Sequence, residues 1–167
     1  MVNIYNIYND INNNETLHSL ARAMHKHKEN GCTNHTIWLG NFNRHHPFWE
    51  EDRNTHLFTP ANLERAQEVL NLATAHDMEM ALPKDIPTLR ALNSRNLTRP
   101  DNIFISNSLF SSLIYCNTEP EKQLVKTDHF PIVTCIDVTV TPANVLPHFN
   151  FRLTDWNKFP DTLASRL

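Results

Sequence analysis

The stretch Thr36-Ile37-Trp38-Leu39 is a compact apolar strand, and it runs straight into Gly40-Asn41-Phe42-Asn43-Arg44-His45-His46-Pro47-Phe48-Trp49-Glu50-Glu51. A surface loop needs no such packing of amides, imidazoles and carboxylates. Ahead of it, Val2 and Ile4 alternate with Asn3 and Tyr5 before Ile7-Tyr8, a period of two that predicts a strand over residues 1–8. Between the two strands, Leu17, Leu20, Ala21 and Met24 share one helical face over residues 15–30. Asn12-Asn13-Asn14 can cap the start of that helix, and Gly31 is its C-terminal stop. Strand, helix, strand and then a polar loop at the strand's carboxyl end is an arrangement in which α/β sheets often place their sites.

A second helix is predicted from Thr59-Pro60, a cap followed by a first-turn proline, with Leu63, Ala66, Leu70 and Ala73 along it. Short strands are predicted over 78–82, 87–92, 102–105 and 113–116. The clearest covers 132–140, where Ile132, Thr134, Ile136, Val138 and Val140 share a face. Strands outnumber helices, so the class is mixed α+β. The domain is expected over residues 1–140, and residues 141–167 read as a tail toward a further domain.

Composition narrows the function. Only 2 Gly occur in 167 residues. Phosphate-cradling loops need several at fixed offsets, which excludes ATP- and nicotinamide-dependent enzymes of those types. The net charge of −3 argues mildly against a module that holds nucleic acid by charge alone. No apolar run nears the roughly 20 residues of a membrane-spanning helix, and no signal peptide is expected. Cys32, Cys116 and Cys135 lie far apart, which favours reduced thiols in an intracellular compartment. The chain has 10 His, but no Cys/His spacing fits zinc.

Three polar clusters stand at strand ends. The first is Asn41-Phe42-Asn43, with His45, His46 and Trp49 beyond it. The second is Asp101, just before an apolar strand. The third is Thr127-Asp128-His129-Phe130-Pro131, just before the clearest strand. Each has a plain structural reading: an Asx turn for Asp128, a turn residue for Asp101, and amides serving the backbone for the Asn pair. The His45–Trp49 run has one too, a loop staple with Trp49 packed inward. Convergence of Asp, Asn and His at strand ends is what a preorganised site needs.

In this order the motifs resemble the endonuclease/exonuclease/phosphatase superfamily: G-x-F-N after a strand, Asp before an apolar strand, then T-D-H-x-P-I. The runs IYNIYND, LGNFNRHHPFWEEDRNTHLF, TRPDNIFIS and KTDHFPI are most similar to the endonuclease domain of LINE-type (non-LTR) retrotransposons. That resemblance implies a DNase I-like four-layer α/β/β/α sandwich and hydrolysis of DNA phosphodiesters with Mg²⁺, or Mn²⁺. It also implies DNA as partner, a reverse transcriptase domain in the full-length element, and a nuclear site of action. His129 would face the scissile phosphate, oriented by Asp101. Asp128 would lie near the metal or its water. Asn43 and Tyr8 would contact the phosphate, with Arg44 beside them among the substrate-binding groups.

Two departures follow from the same resemblance. The family pattern is Gly-Asp-Phe-Asn, and here Asn41 stands at the carboxylate's place as the catalytic and metal-binding candidate. An amide has no charge and takes no proton, a change that commonly costs about 10²–10⁴ in rate. The family's first half, which supplies a metal-binding Glu, has no counterpart before the Tyr8 strand, so a partial sandwich is expected. The ion is then expected to be weakly held or lost and activity weak or absent. A remnant that only binds nucleic acid would use Arg44, Arg53, Arg95 and Arg99.

Overall fold

The computed structural model describes residues 2–29, 35–137, 158 and 164. Contacts divide the chain into residues 1–137 and 138–167. Every element below belongs to the first unit. Gly31, Val138, Val140 and nearly all of the tail lie outside the described residues.

Strand β1 (Val2–Tyr8), helix α1 (Glu15–Glu29) and strand β2 (His35–Asn41) form the first unit of structure, with β1 and β2 parallel. The Glu15 N–H donates to Asn13 Oδ1 at 3.1 Å, so the Asn triplet does serve the helix start. Helix α2 (Pro60–Ala75) begins as its cap predicts, with the Asn62 N–H donating to Thr59 Oγ1 at 3.3 Å. Strand β3 (Met78–Met80), the hairpin β4 (Leu89–Arg90) and β5 (Leu97–Thr98), and strand β6 (Asp101–Ser106) follow. A short helix α3 (Asn107–Phe110) leads to the antiparallel pair β7 (Leu113–Thr118) and β8 (Ile132–Ile136).

The larger sheet has the order β1-β2-β6-β3, with β6 antiparallel to both β2 and β3. One face packs Ile7, Trp38, Phe42 and Phe104 against Leu17, Leu20 and Met24 of α1 and Val69 and Ala73 of α2. The opposite face packs Ile37, Ile103 and Ile105 against Leu113, Cys116, Ile132 and Ile136 of the β7–β8 pair. A helix layer, a mixed sheet and a second sheet are therefore stacked, as the α+β expectation required.

Several strands differ from their predicted bounds, two of them for clear local reasons. β2 runs on through Gly40 and Asn41 because β6 is there to pair with them, Gly40 opposite Asn102 and Asn41 opposite Asp101. The predicted strand over 87–92 shrinks to Leu89–Arg90, the short arm of a hairpin. Gly40 is indispensable to the first arrangement. Its φ is +128°, and a Cβ there would sit 2.1 Å from the Ile7 carbonyl oxygen.

Candidate active site

The register of the larger sheet sets three predicted residues side by side. Tyr8 pairs with Asn41, and Asn41 pairs with Asp101. Directly paired residues project from one face, here the face toward the second sheet. The next residue, Phe42, turns the other way into the helix-side core, where its ring meets Phe104 edge-on at 5.4 Å. This explains the hydrophobic residue between two amides: it pins the strand end from the core side, while Asn41 lies on the other face of the sheet.

The second sheet supplies the histidine. His129 lies just before β8 and forms an isolated bridge with Leu89 of β4. The Arg90 N–H donates to the Asp128 carbonyl at 2.8 Å, and the Phe130 N–H to the Thr88 carbonyl at 2.7 Å. Held this way, His129 Nδ1 lies 2.8 Å from Asp101 Oδ2. The carboxylate fixes the ring so that Nε2 is the nitrogen left for a substrate, 3.9 Å from Asp128 Oδ1.

Asp101 is itself clamped. The Thr88 hydroxyl donates to Asp101 Oδ2 at 2.6 Å and accepts from the Asp101 N–H at 3.2 Å. Thr88 is fully buried and was not singled out in the sequence. Its only signal there was a lone hydroxyl within the run Pro87–Leu92, and the turn that folds it under Asp101 is not written in either segment.

Asn43 has φ +50°, a left-handed conformation that Asn tolerates. Its N–H donates to Asn41 Oδ1 at 2.8 Å and its Nδ2 to the Asn9 carbonyl at 2.7 Å. Asn43 thus joins this end of the sheet through Asn41. Tyr8 is 75% exposed at the open end.

The loop after Asn43 is mostly structural. Trp49 is buried, its Nε1–H donates to the Arg44 carbonyl at 3.1 Å, and the His46 ring lies over it at 5.3 Å. Burial lowers the pKa of His46. Arg44, expected among substrate-binding groups, is only 2% exposed. Its Nη atoms donate to the carbonyls of Asp10 (3.1 Å), Asn43 (2.8 Å) and Asn13 (2.6 Å) and to Asn14 Oδ1. Arg99, expected near a nucleic-acid groove, is 1% exposed and donates to the carbonyls of Leu82 and Pro83 and to Asn102 Oδ1. Burial lowers it to about 10, with Cys116, Glu50 and Asp85 opposing the shift, so it stays charged at neutral pH. Both guanidiniums hold carbonyls that would otherwise be buried unpaired. Arg53 and Arg95 do reach the surface, where they line a cavity of about 200 Å³ with Asn54 and His56.

The donor set does not complete a Mg²⁺ site. Asp128 brings one carboxylate beside His129, Asp101 is engaged by Thr88 and His129, and Asn41 brings only an amide. Among the described residues no three His, Cys, Asp or Glu side chains come together to hold a metal ion.

A two-sheet stack of this kind, with an Asp–His pair at its strand ends, has the architecture of a DNase I-like fold. Solved structures share that fold. The endonuclease domain of TRAS1, a telomere-specific non-LTR retrotransposon, superposes with a TM-score of 0.62 at 14% identity, over 81% of this chain and 57% of that one. The 3′-5′ exonuclease of Neisseria meningitidis gives 0.60 at 16% identity, over 81% and 61%. An AP endonuclease of Archaeoglobus fulgidus gives 0.59 at 17% identity, over 82% and 62%. The chain thus spans about three-fifths of the length of these neighbours. Comparison with curated protein sequences gives no match. The family profile described as endonuclease-reverse transcriptase matches residues 2–133, and the chain belongs to that family.

Proposed function

We propose that this chain is part of a DNA-nicking endonuclease of the retrotransposon kind, one that hydrolyses phosphodiesters with Mg²⁺ or Mn²⁺ and works beside a reverse transcriptase domain in the full-length element. The observation that carries this reading is the 2.8 Å contact between His129 Nδ1 and Asp101 Oδ2, with Thr88 locking the carboxylate. With its Nδ1–H donated to Asp101, the ring can accept a proton at Nε2, and in its protonated form it can donate from Nε2 to a phosphate oxygen or pass that proton to the leaving oxygen. Asn43 and the Tyr8 hydroxyl would bound the same phosphate. The incomplete donor set assigns the ion no step here, and it supports a second part of the proposal: by itself the chain nicks DNA weakly.

Relaxation of supercoiled plasmid with Mg²⁺, Mn²⁺ or EDTA tests this. Any metal-dependent nicking is expected to fall by about 10²-fold or more in His129→Ala, and Asn41→Asp alone is expected to restore little. Nicking that survives His129→Ala refutes the site; nicking by the unaltered chain at the rate of an intact nuclease refutes its incompleteness. The position of Asn41 favours a second reading, a module that binds DNA without cutting it, because its Oδ1 serves the Asn43 N–H. Salt-dependent duplex binding with no nicking in any metal would select it.

A further inference from the structure

Beside Asn43 a cavity of about 40 Å³ is lined by Ile11, Asn43, Arg44, His45, Asn62 and Arg65. A water needs about 10–15 Å³, so the space takes roughly two or three oxygen-sized atoms and excludes a nucleobase. Two guanidiniums and an imidazole line it. The Arg44 pKa is lowered first by burial and next by the charge of Arg65, with Glu68 and Asp10 opposing. An anion between the two would relieve that repulsion.

The two arginines divide the work. The Nη atoms of Arg44 are fully engaged and its Nε–H is buried away from the cavity, so Arg44 acts on an anion there through its charge alone, and the direct contacts fall to Arg65 and Asn62. His45 donates its Nδ1–H to Glu50 Oε1 at 2.5 Å, so its Nε2 can donate to an anion only when the ring is protonated. Arg65 has a hydrogen bond to the Ile11 carbonyl at 3.3 Å and keeps other N–H groups. Asn62 sits in the first turn of α2, whose positive end adds to the field.

We infer that this cavity is an anion subsite that takes the non-bridging oxygens of a DNA backbone phosphate neighbouring the one at His129. The inference rests on the phosphodiesterase reading above, and Asn43 belongs to both places.

The test uses the whole chain, ¹⁵N-labelled and titrated first with inorganic phosphate and then with a short DNA duplex. Arg65→Ala and Arg65→Glu serve as variants once their melting is shown to match the unaltered protein. Phosphate is expected to move the backbone signals of Asn43, His45 and Asn62, and Arg65→Ala to weaken its binding about tenfold. The slope of log affinity for duplex against log salt is expected to drop by about 0.9, one phosphate contact. Signals that ignore phosphate, or equal affinity in both Arg65 variants, overturn the subsite. If duplex binding or nicking depends on His129 while both Arg65 variants match the unaltered chain, the subsite falls and the phosphodiesterase reading stands. Phosphate bound at Arg65 with no duplex binding anywhere overturns both.

Discussion

Glu50 shows how much one side chain can fasten. It is 1% exposed and accepts from His45 Nδ1 (2.5 Å), Asn54 Nδ2 (2.8 Å) and the Arg99 N–H (2.9 Å). Burial alone would raise its pKa; the bonds from His45, Arg99 and Asn54 outweigh burial and hold it below the ordinary 4.5. A carboxyl depressed in the folded state stabilises the fold above its unfolded pKa, and that contribution is lost as the pH falls through the folded value. Glu50→Gln is therefore expected to cost roughly 1–3 kcal/mol at neutral pH. Denaturant melts across pH would show the gap between the two proteins closing below about pH 4.5. A gap independent of pH would mean that the carboxylate's charge plays no part. The same scale explains Arg44 and Arg99. A sequence shows an arginine's charge but not the carbonyls that fold around it, so both looked like direct ligands for DNA, whereas both give their Nη hydrogen bonds to the fold itself.

At the scale of elements, the end of β2 is where geometry is most demanding. Gly40 lets β2 approach β1 so closely that a Cβ would meet the Ile7 carbonyl at 2.1 Å. Gly40→Ala adds a left-handed strain to that clash, and we expect a loss of roughly 2–4 kcal/mol with a lower denaturation midpoint. A variant that melts like the parent would show that β1 can move aside. Elements carried by local chemistry were legible: α2 from its Thr59-Pro60 start, β6 and β8 from apolar and alternating residues, α1 from Leu17, Leu20 and Met24. Of the site, the strand-end positions of Tyr8, Asn41, Asp101 and His129 were legible because a strand's end is a local property. Thr88 was not, because its bond to Asp101 joins positions 13 apart across the β4–β5 hairpin. Nor was the side of the sheet on which Arg44 is enclosed, which depends on the segment from Asp10 to Asn14 returning over it.

At the scale of the whole molecule, the two faces of the larger sheet are unequally covered. Helices α1 and α2 cover one face along β1, β2 and β6. The β7–β8 pair covers the other over β2 and β6, burying Ile37, but Ile4, its register partner on β1, is 63% exposed. Val2 and Tyr8 share that open face with Ile4. Among the described residues β1 is also an edge strand, paired only with β2. An apolar face next to an unpaired edge is a route to self-association. Ile4→Lys places a charge on that face where no core contact is lost, so melting should change by no more than about 0.5 kcal/mol. Light scattering during heating should begin at a higher temperature, and the concentration dependence of sedimentation should weaken. If scattering is unchanged while the melt is preserved, association proceeds through another surface, and the open face of β1 is tolerated by water as it stands.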